Sequence, residues 1–213
     1  MMMMKKTTLH NFTEKDLASY QSMQIGNNCA FFAISSSLKL LLNYQIDPMA
    51  LAAEINYRWR RGQFMRIWPG WAVAPRMLVR IVRYIARTRD LPIKATHQEG
   101  KIEDLMNLLN DPQSIPIITL AWRRRKSPPI YLGRSGKNHN TLPGPAAHTM
   151  ILAAHNPGHR SGDQVMTPWG FINPWASKSS QLFWMTDHDF VESWKFWLPF
   201  KGRNPLVIIN KTS

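Results

Sequence analysis

The stretch MQIGNNCAFFAISSSLKLLLNY, residues 23–44, decides the fold. Gly26, Asn27 and Asn28 are turn formers. The run after them is apolar at Phe32, Ala33, Leu40, Leu41 and Leu42, so a helix is expected over residues 29–44. The chain's single cysteine, Cys29, then stands at the helix start, where the macrodipole and unpaired backbone amides favour thiolate over thiol. The Cys29 amide points toward the space a substrate carbonyl would fill. Gln24, five residues upstream, is the expected second donor of an oxyanion hole, with Gln21 as the substitute.

A cysteine nucleophile needs a base, and the base needs an orienting acceptor. Of seven histidines, His148 has the most suitable setting: small residues before it and the apolar run Met150, Ile151, Leu152 after it. Residues 147–155 and 169–173 read as two strands of a hairpin, which would bring Asn173 beside His148. The long 156–168 connection between them is expected to gate the cleft. No metal or organic cofactor is called for. His155 and His159 are separated by Pro157 and Gly158, so no helix places them on one face for zinc.

Around that constellation the chain is rich in core material. Of its 213 residues 44% are hydrophobic and only 19% charged, which excludes an intrinsically disordered chain. One cysteine excludes a disulfide framework. Further helices are expected over 48–61, 75–89, 102–110 and 186–197, and further strands over 92–97, 115–122 and 206–210. Residues 123–145 read as a long loop. Helices come first and strands later, which implies an α+β domain, residues 21–213, behind a loosely held N-terminal arm, residues 1–20. Residues 7–20 are polar and lack an apolar signal core, so a soluble, cytoplasmic protein is expected.

The order Gln24, Cys29, His148, Asn173 resembles the papain-like cysteine peptidase superfamily. Within it, the chain is most similar to the bacterial peptidases that process double-glycine leader peptides and to their stand-alone relatives. Asn173 is followed by Pro174 and Trp175, and MTDHDFVESW, residues 185–194, matches the downstream pattern of the leader-peptidase branch. The likeness covers about 21–43, 147–175 and 182–197. Gln24 stands one residue nearer the cysteine than is usual, and Ala30 follows Cys29 in place of Gly or Trp.

The resemblance implies a papain-like fold: an N-terminal helical part beginning with the Cys29 helix, packed on a C-terminal antiparallel sheet. It also implies a thiol hydrolase or acyl-transfer enzyme working through a thioester. Cys29 would be the nucleophile, His148 the base, Asn173 its orienting partner, and Gln24 an oxyanion donor, with a peptide or protein as substrate.

Charge supports a second reading. Lys plus Arg total 27 against 13 Asp plus Glu, a formal net charge of +14. Arg76, Arg80, Arg83 and Arg87 line one face of the helix over 75–89, opposite Leu78, Ile81, Val82 and Ile85, and Arg123, Arg124 and Arg125 add a cluster. The plain account is a solvated cationic face. The functional alternative is a non-catalytic basic domain that binds nucleic acid or another polyanion, with Trp59, Trp68, Trp71 and Trp122 interleaved. A third account has this face select an acidic substrate.

Overall fold

The computed structural model describes residues 6–26, 28–59, 61–62, 73–123, 127–141, 146–162, 164–175, 181–195 and 204–212. In chain order the elements are β1 (Thr7–Thr8), a 3-10 turn (Leu9–Asn11), α1 (Glu14–Ala18), α2 (Cys29–Leu42), α3 (Pro48–Trp59), α4 (Pro75–Thr88), β2 (Ile93–Glu99), α5 (Ile102–Asn110), β3 (Ser114–Trp122), β4 (Tyr131–Leu132), β5 (Ala146–His155), β6 (Arg160–Ser161), β7 (Val165–Met166), β8 (Trp169–Ile172), β9 (Phe183–Met185), α6 (Asp187–Trp194) and β10 (Pro205–Lys211). The class is α+β, as expected, and the cysteine-bearing helix α2 packs on the sheet.

An eight-stranded antiparallel sheet runs β2-β10-β3-β5-β8-β9-β4, and β1 pairs with the C-terminal end of β5. All nine residues of β3 are buried, and β5 is buried from His148 to His155. A strand buried along its whole length is covered on both faces, which is why these two read as continuous apolar runs rather than alternating ones. The helices touching β3 are α2, α5 and α6. At the sheet edge, β2 alternates instead: Ile93 and Ala95 are buried under α4, while Lys94 and Thr96 are exposed.

The helix α2 begins at Cys29 and ends where Asn43 turns left-handed (φ 52°). Three serines interrupt its apolar run, and each is satisfied by a distinct carbonyl: Ser35 donates to Ile46 O, Ser36 to Tyr20 O and Ser37 to Ala33 O. Satisfied in this way, the hydroxyls avoid the desolvation cost of an unpaired buried donor. Two of them also tie the helix to its neighbouring segments.

Over residues 6–20 the N-terminal segment is not a loose arm. Thr7 and Thr8 pair with His155 and Ala154, His10 hydrogen-bonds Ser114 O, and Leu9, Leu17 and Ala18 are buried in the core. Its capping box at Thr13 and Asp16 closes the start of α1. Among the described residues no helix is long and apolar enough to cross a membrane.

Candidate active site

The hairpin expected around His148 forms, and its register places the site. β5 pairs with β8 so that Ile151 faces Ile172. Continuing that register past the end of β8 sets Asn173 opposite Met150, diagonal to His148, and Trp175 opposite His148 itself. Diagonal neighbours on an antiparallel pair lie within side-chain reach. Accordingly His148 Nε2 is 2.8 Å from Asn173 Oδ1, and the Trp175 ring stacks on the imidazole with centroids 4.2 Å apart.

The direction of the His148–Asn173 bond follows from a third partner. The Trp175 N–H donates to the same Asn173 Oδ1 at 3.2 Å, and a backbone amide can only donate, so the oxygen end of the Asn173 amide is fixed there. The hydrogen on this side of the imidazole is therefore on Nε2, and Nδ1 carries the free lone pair. That is the tautomer a general base requires.

Two main-chain ties hold this strand end against the segment leading to Cys29. Gln21 Oε1 accepts from the Asn173 N–H at 3.2 Å, and the Gln24 N–H donates to Pro174 O at 2.6 Å. Gln21 Nε2 donates to Gln181 O at 2.7 Å, so this side chain is a clamp on Asn173 and not the substitute oxyanion donor. Gln24 Nε2 donates to Gly26 O at 2.9 Å, inside the turn that Gly26 makes with φ 63°. The expected oxyanion role thus falls on a side chain already engaged in its own turn.

Cys29 is buried at the first position of α2, where Thr149 of β5 and the amides of Ala30 and Cys29 itself favour its thiolate form. Phe31 and Phe32 N–H groups bond Asn28 O, so the amides of Cys29 and Ala30 are the first of the helix and lack an intrahelical acceptor. The β5 residue that acts on the thiol is Thr149, the residue after His148. Thr149 was not a sequence candidate; a threonine beside a histidine carries no signal until β5 is placed under α2.

Burial reverses the expected electrostatics. It pushes the Cys29 thiol up from its ordinary value, outweighing the hydrogen bonds from Thr149 and the helix amides that favour thiolate. It pushes His148 down to about 4, against the opposing effect of Asn173. Helix position alone favours a thiolate; in the closed site the thiol and the imidazole are both neutral at pH 7 because charge is costly there.

The 156–168 connection does not gate this cleft. It leaves β5 after His155, at the opposite end of the strand from His148, roughly 23 Å away at a strand rise of about 3.3 Å per residue. There it forms its own β6–β7 hairpin. Of the cationic candidates, Arg76, Arg80, Arg83, Arg87 and Arg123 are exposed, whereas Arg124 and Arg125 lie outside the described residues.

In comparisons with known proteins, no family model and no curated protein matches the chain.

Proposed function

We propose that the protein is a papain-like cysteine-nucleophile hydrolase, a peptidase or a related amide or acyl-transfer enzyme, built on Cys29, His148 and Asn173. The observation that carries this reading is the buried His148–Asn173 hydrogen bond, with its acceptor fixed by the Trp175 amide and Nδ1 left as the base. The adjoining residue, Thr149, favours the thiolate form of Cys29 at the start of α2.

With both groups neutral at rest, attack proceeds by general-base catalysis. The Cys29 sulfur bonds the substrate carbonyl carbon while its proton passes to His148 Nδ1. The carbonyl electron pair moves to oxygen, where the amides of Cys29 and Ala30 donate to it. As the carbonyl reforms, the bond to the amine breaks, and the amine departs with the Nδ1 proton. Water, activated by the same nitrogen, then cleaves the thioester to acid and free thiol. Asn173 and the stacked Trp175 keep the imidazole in the one orientation that serves each step. Met23 and Ile25, both exposed beside this segment, offer an apolar border to a substrate chain.

The test is acylation of Cys29 by an activated ester or thioester, followed by intact mass. One acyl group should add to the native protein and none to Cys29→Ala. His148→Ala should slow the step by about 10²–10⁴-fold, the usual worth of a general base, with its melting transition retained. Acylation that is absent from the native protein, or equally fast in His148→Ala, overturns the reading.

A second reading keeps the cationic face of α4 as the functional element. Arg76, Arg83 and Arg87 are exposed, and no described carboxylate pairs with them; Arg83 bonds only Ala95 O. If the chain is a polyanion-binding domain, binding to a polynucleotide should fall steeply with salt and survive Cys29→Ala.

A further inference from the structure

A cavity of about 510 Å³ opens at the other end of the β5–β8 ribbon, where the start of α1, the turn after β4, the β5–β6 turn and the approach to β9 converge. Its wall holds His159, which is only 6% exposed, and its rim holds Lys15 and Arg134, both exposed to solvent. Lys6 also lines it but is engaged by Glu14 at 2.7 Å, so those two charges cancel locally. The remaining charge at the cavity is positive.

The state of His159 follows from a chain of hydrogen bonds. Ser161 Oγ donates its single hydrogen to Gly133 O at 3.1 Å. Its 2.9 Å contact with Thr167 Oγ1 must then be one it accepts. Thr167 has thereby spent its own hydrogen, so its 2.9 Å contact with His159 Nδ1 is donated by the imidazole. Nδ1 carries the hydrogen, and Nε2 is a bare acceptor with no partner among the described residues. Burial holds His159 near 4, so the ring is neutral at pH 7, and it is clamped flat on Trp184 with ring centroids 3.6 Å apart. A rigid imidazole with an unpartnered nitrogen, among the residues lining a cationic pocket, is complementary to a ligand that pairs a negative group with a hydrogen-bond donor.

We propose that this cavity is a binding site for a small oxyanion that carries a neighbouring hydroxyl group, either a phosphate ester or a hydroxycarboxylate. Lys15 and Arg134 take the oxyanion, and His159 Nε2 accepts from the hydroxyl. The site is independent of the Cys29 chemistry and stands or falls without it.

Titration calorimetry of the native protein at fixed ionic strength tests it with glycerol 3-phosphate, malate, sulfate and glycerol. Saturable binding of glycerol 3-phosphate or of malate is expected, and the tighter of the two identifies the phosphate or the carboxylate source. Sulfate, which has the charge but no donor, should bind about tenfold more weakly, the worth of one hydrogen bond to the site. Lys15→Ala with Arg134→Ala should abolish binding. His159→Phe, which keeps the stack on Trp184, should erase the preference over sulfate. Side-chain nitrogen NMR of the native protein gives a readout independent of that variant's folding: Nε2 of His159 should be of the unprotonated type and move on titration. The proposal is overturned if neither probe saturates below about 1 mM, a weak-binding ceiling. Sulfate matching glycerol 3-phosphate, binding that survives the double variant, or an Nε2 that carries hydrogen would overturn it equally.

Discussion

Two buried histidines stand at opposite ends of one β-ribbon, and they differ in which nitrogen they leave bare. At the near end His148 gives its Nε2 hydrogen to Asn173 and stacks on Trp175, leaving Nδ1 as the free nitrogen. At the far end His159 gives its Nδ1 hydrogen to Thr167 and stacks on Trp184, leaving Nε2 without a described partner in a ring that lines a cationic cavity. Burial lowers both to about 4. The pairing teaches that burial and stacking make a neutral, rigid imidazole, and that the oxygen on one side chooses the nitrogen offered on the other. What then differs is the company: a thiol and helix amides at one end, lysine and arginine at the other.

The largest effect expected from this comparison is acid sensitivity. Each imidazole sits near 4 when folded and near 6.5 when unfolded. As pH falls below about 6.5 the unfolded chain binds protons that the folded chain refuses. Stability is therefore full above pH 6.5 and drains as pH falls toward 4. For His148 the loss is on the order of 3 kcal/mol. Melting temperatures of the native protein, His148→Gln and His159→Gln between pH 7 and pH 4 check it. Each variant should show a shallower decline than the native chain, and parallel curves would break the claim that both rings are held neutral by burial.

A smaller effect sharpens the difference between the two ends. Replacing the neutral partner by a charged one, Asn173→Asp, should raise the His148 value by about 1–3 units, because a carboxylate favours imidazolium. The acidic limb of the acylation rate against pH should move up with it, while Asn173→Ala should slow acylation without raising that limb. An unmoved limb in the aspartate variant would detach Asn173 from His148.

The fold was legible where sequence pattern and burial coincide. The start of α2 at Cys29, the amphipathic α4 and the fully buried β3 and β5 all follow from period and run length. Short strands were not, because β4, β6 and β7 have two residues each and β1 exists only by pairing with a strand far along the chain. His148 and Asn173 could be read as partners because a hairpin makes them neighbours. Thr149, the clamp by Gln21 and the stack of His159 on Trp184 depend on contacts between distant segments, which composition and spacing do not encode. The thiol's charge state was misjudged for a related reason: helix position is visible in sequence, whereas depth of burial is not.

The smallest effect concerns that thiol. Thr149→Val removes a hydroxyl that favours the Cys29 thiolate. Alkylation of Cys29 by iodoacetamide near neutral pH should slow by about fivefold, the worth of one ordinary hydrogen bond. An unchanged rate would mean that the helix amides alone set the sulfur's state.

The position of β10 has a kinetic consequence. Residues 205–211 are inserted between β2 and β3, so two strands close in sequence are kept apart by one made far later. During synthesis neither can complete its ladder, and both carry unpaired edges until that segment emerges from the ribosome. Pairings of such long sequence separation are slow to close, in the range of milliseconds to seconds for β-rich domains. The nascent chain therefore passes through a stage with its central sheet open at the β2 and β3 edges, a stage prone to association.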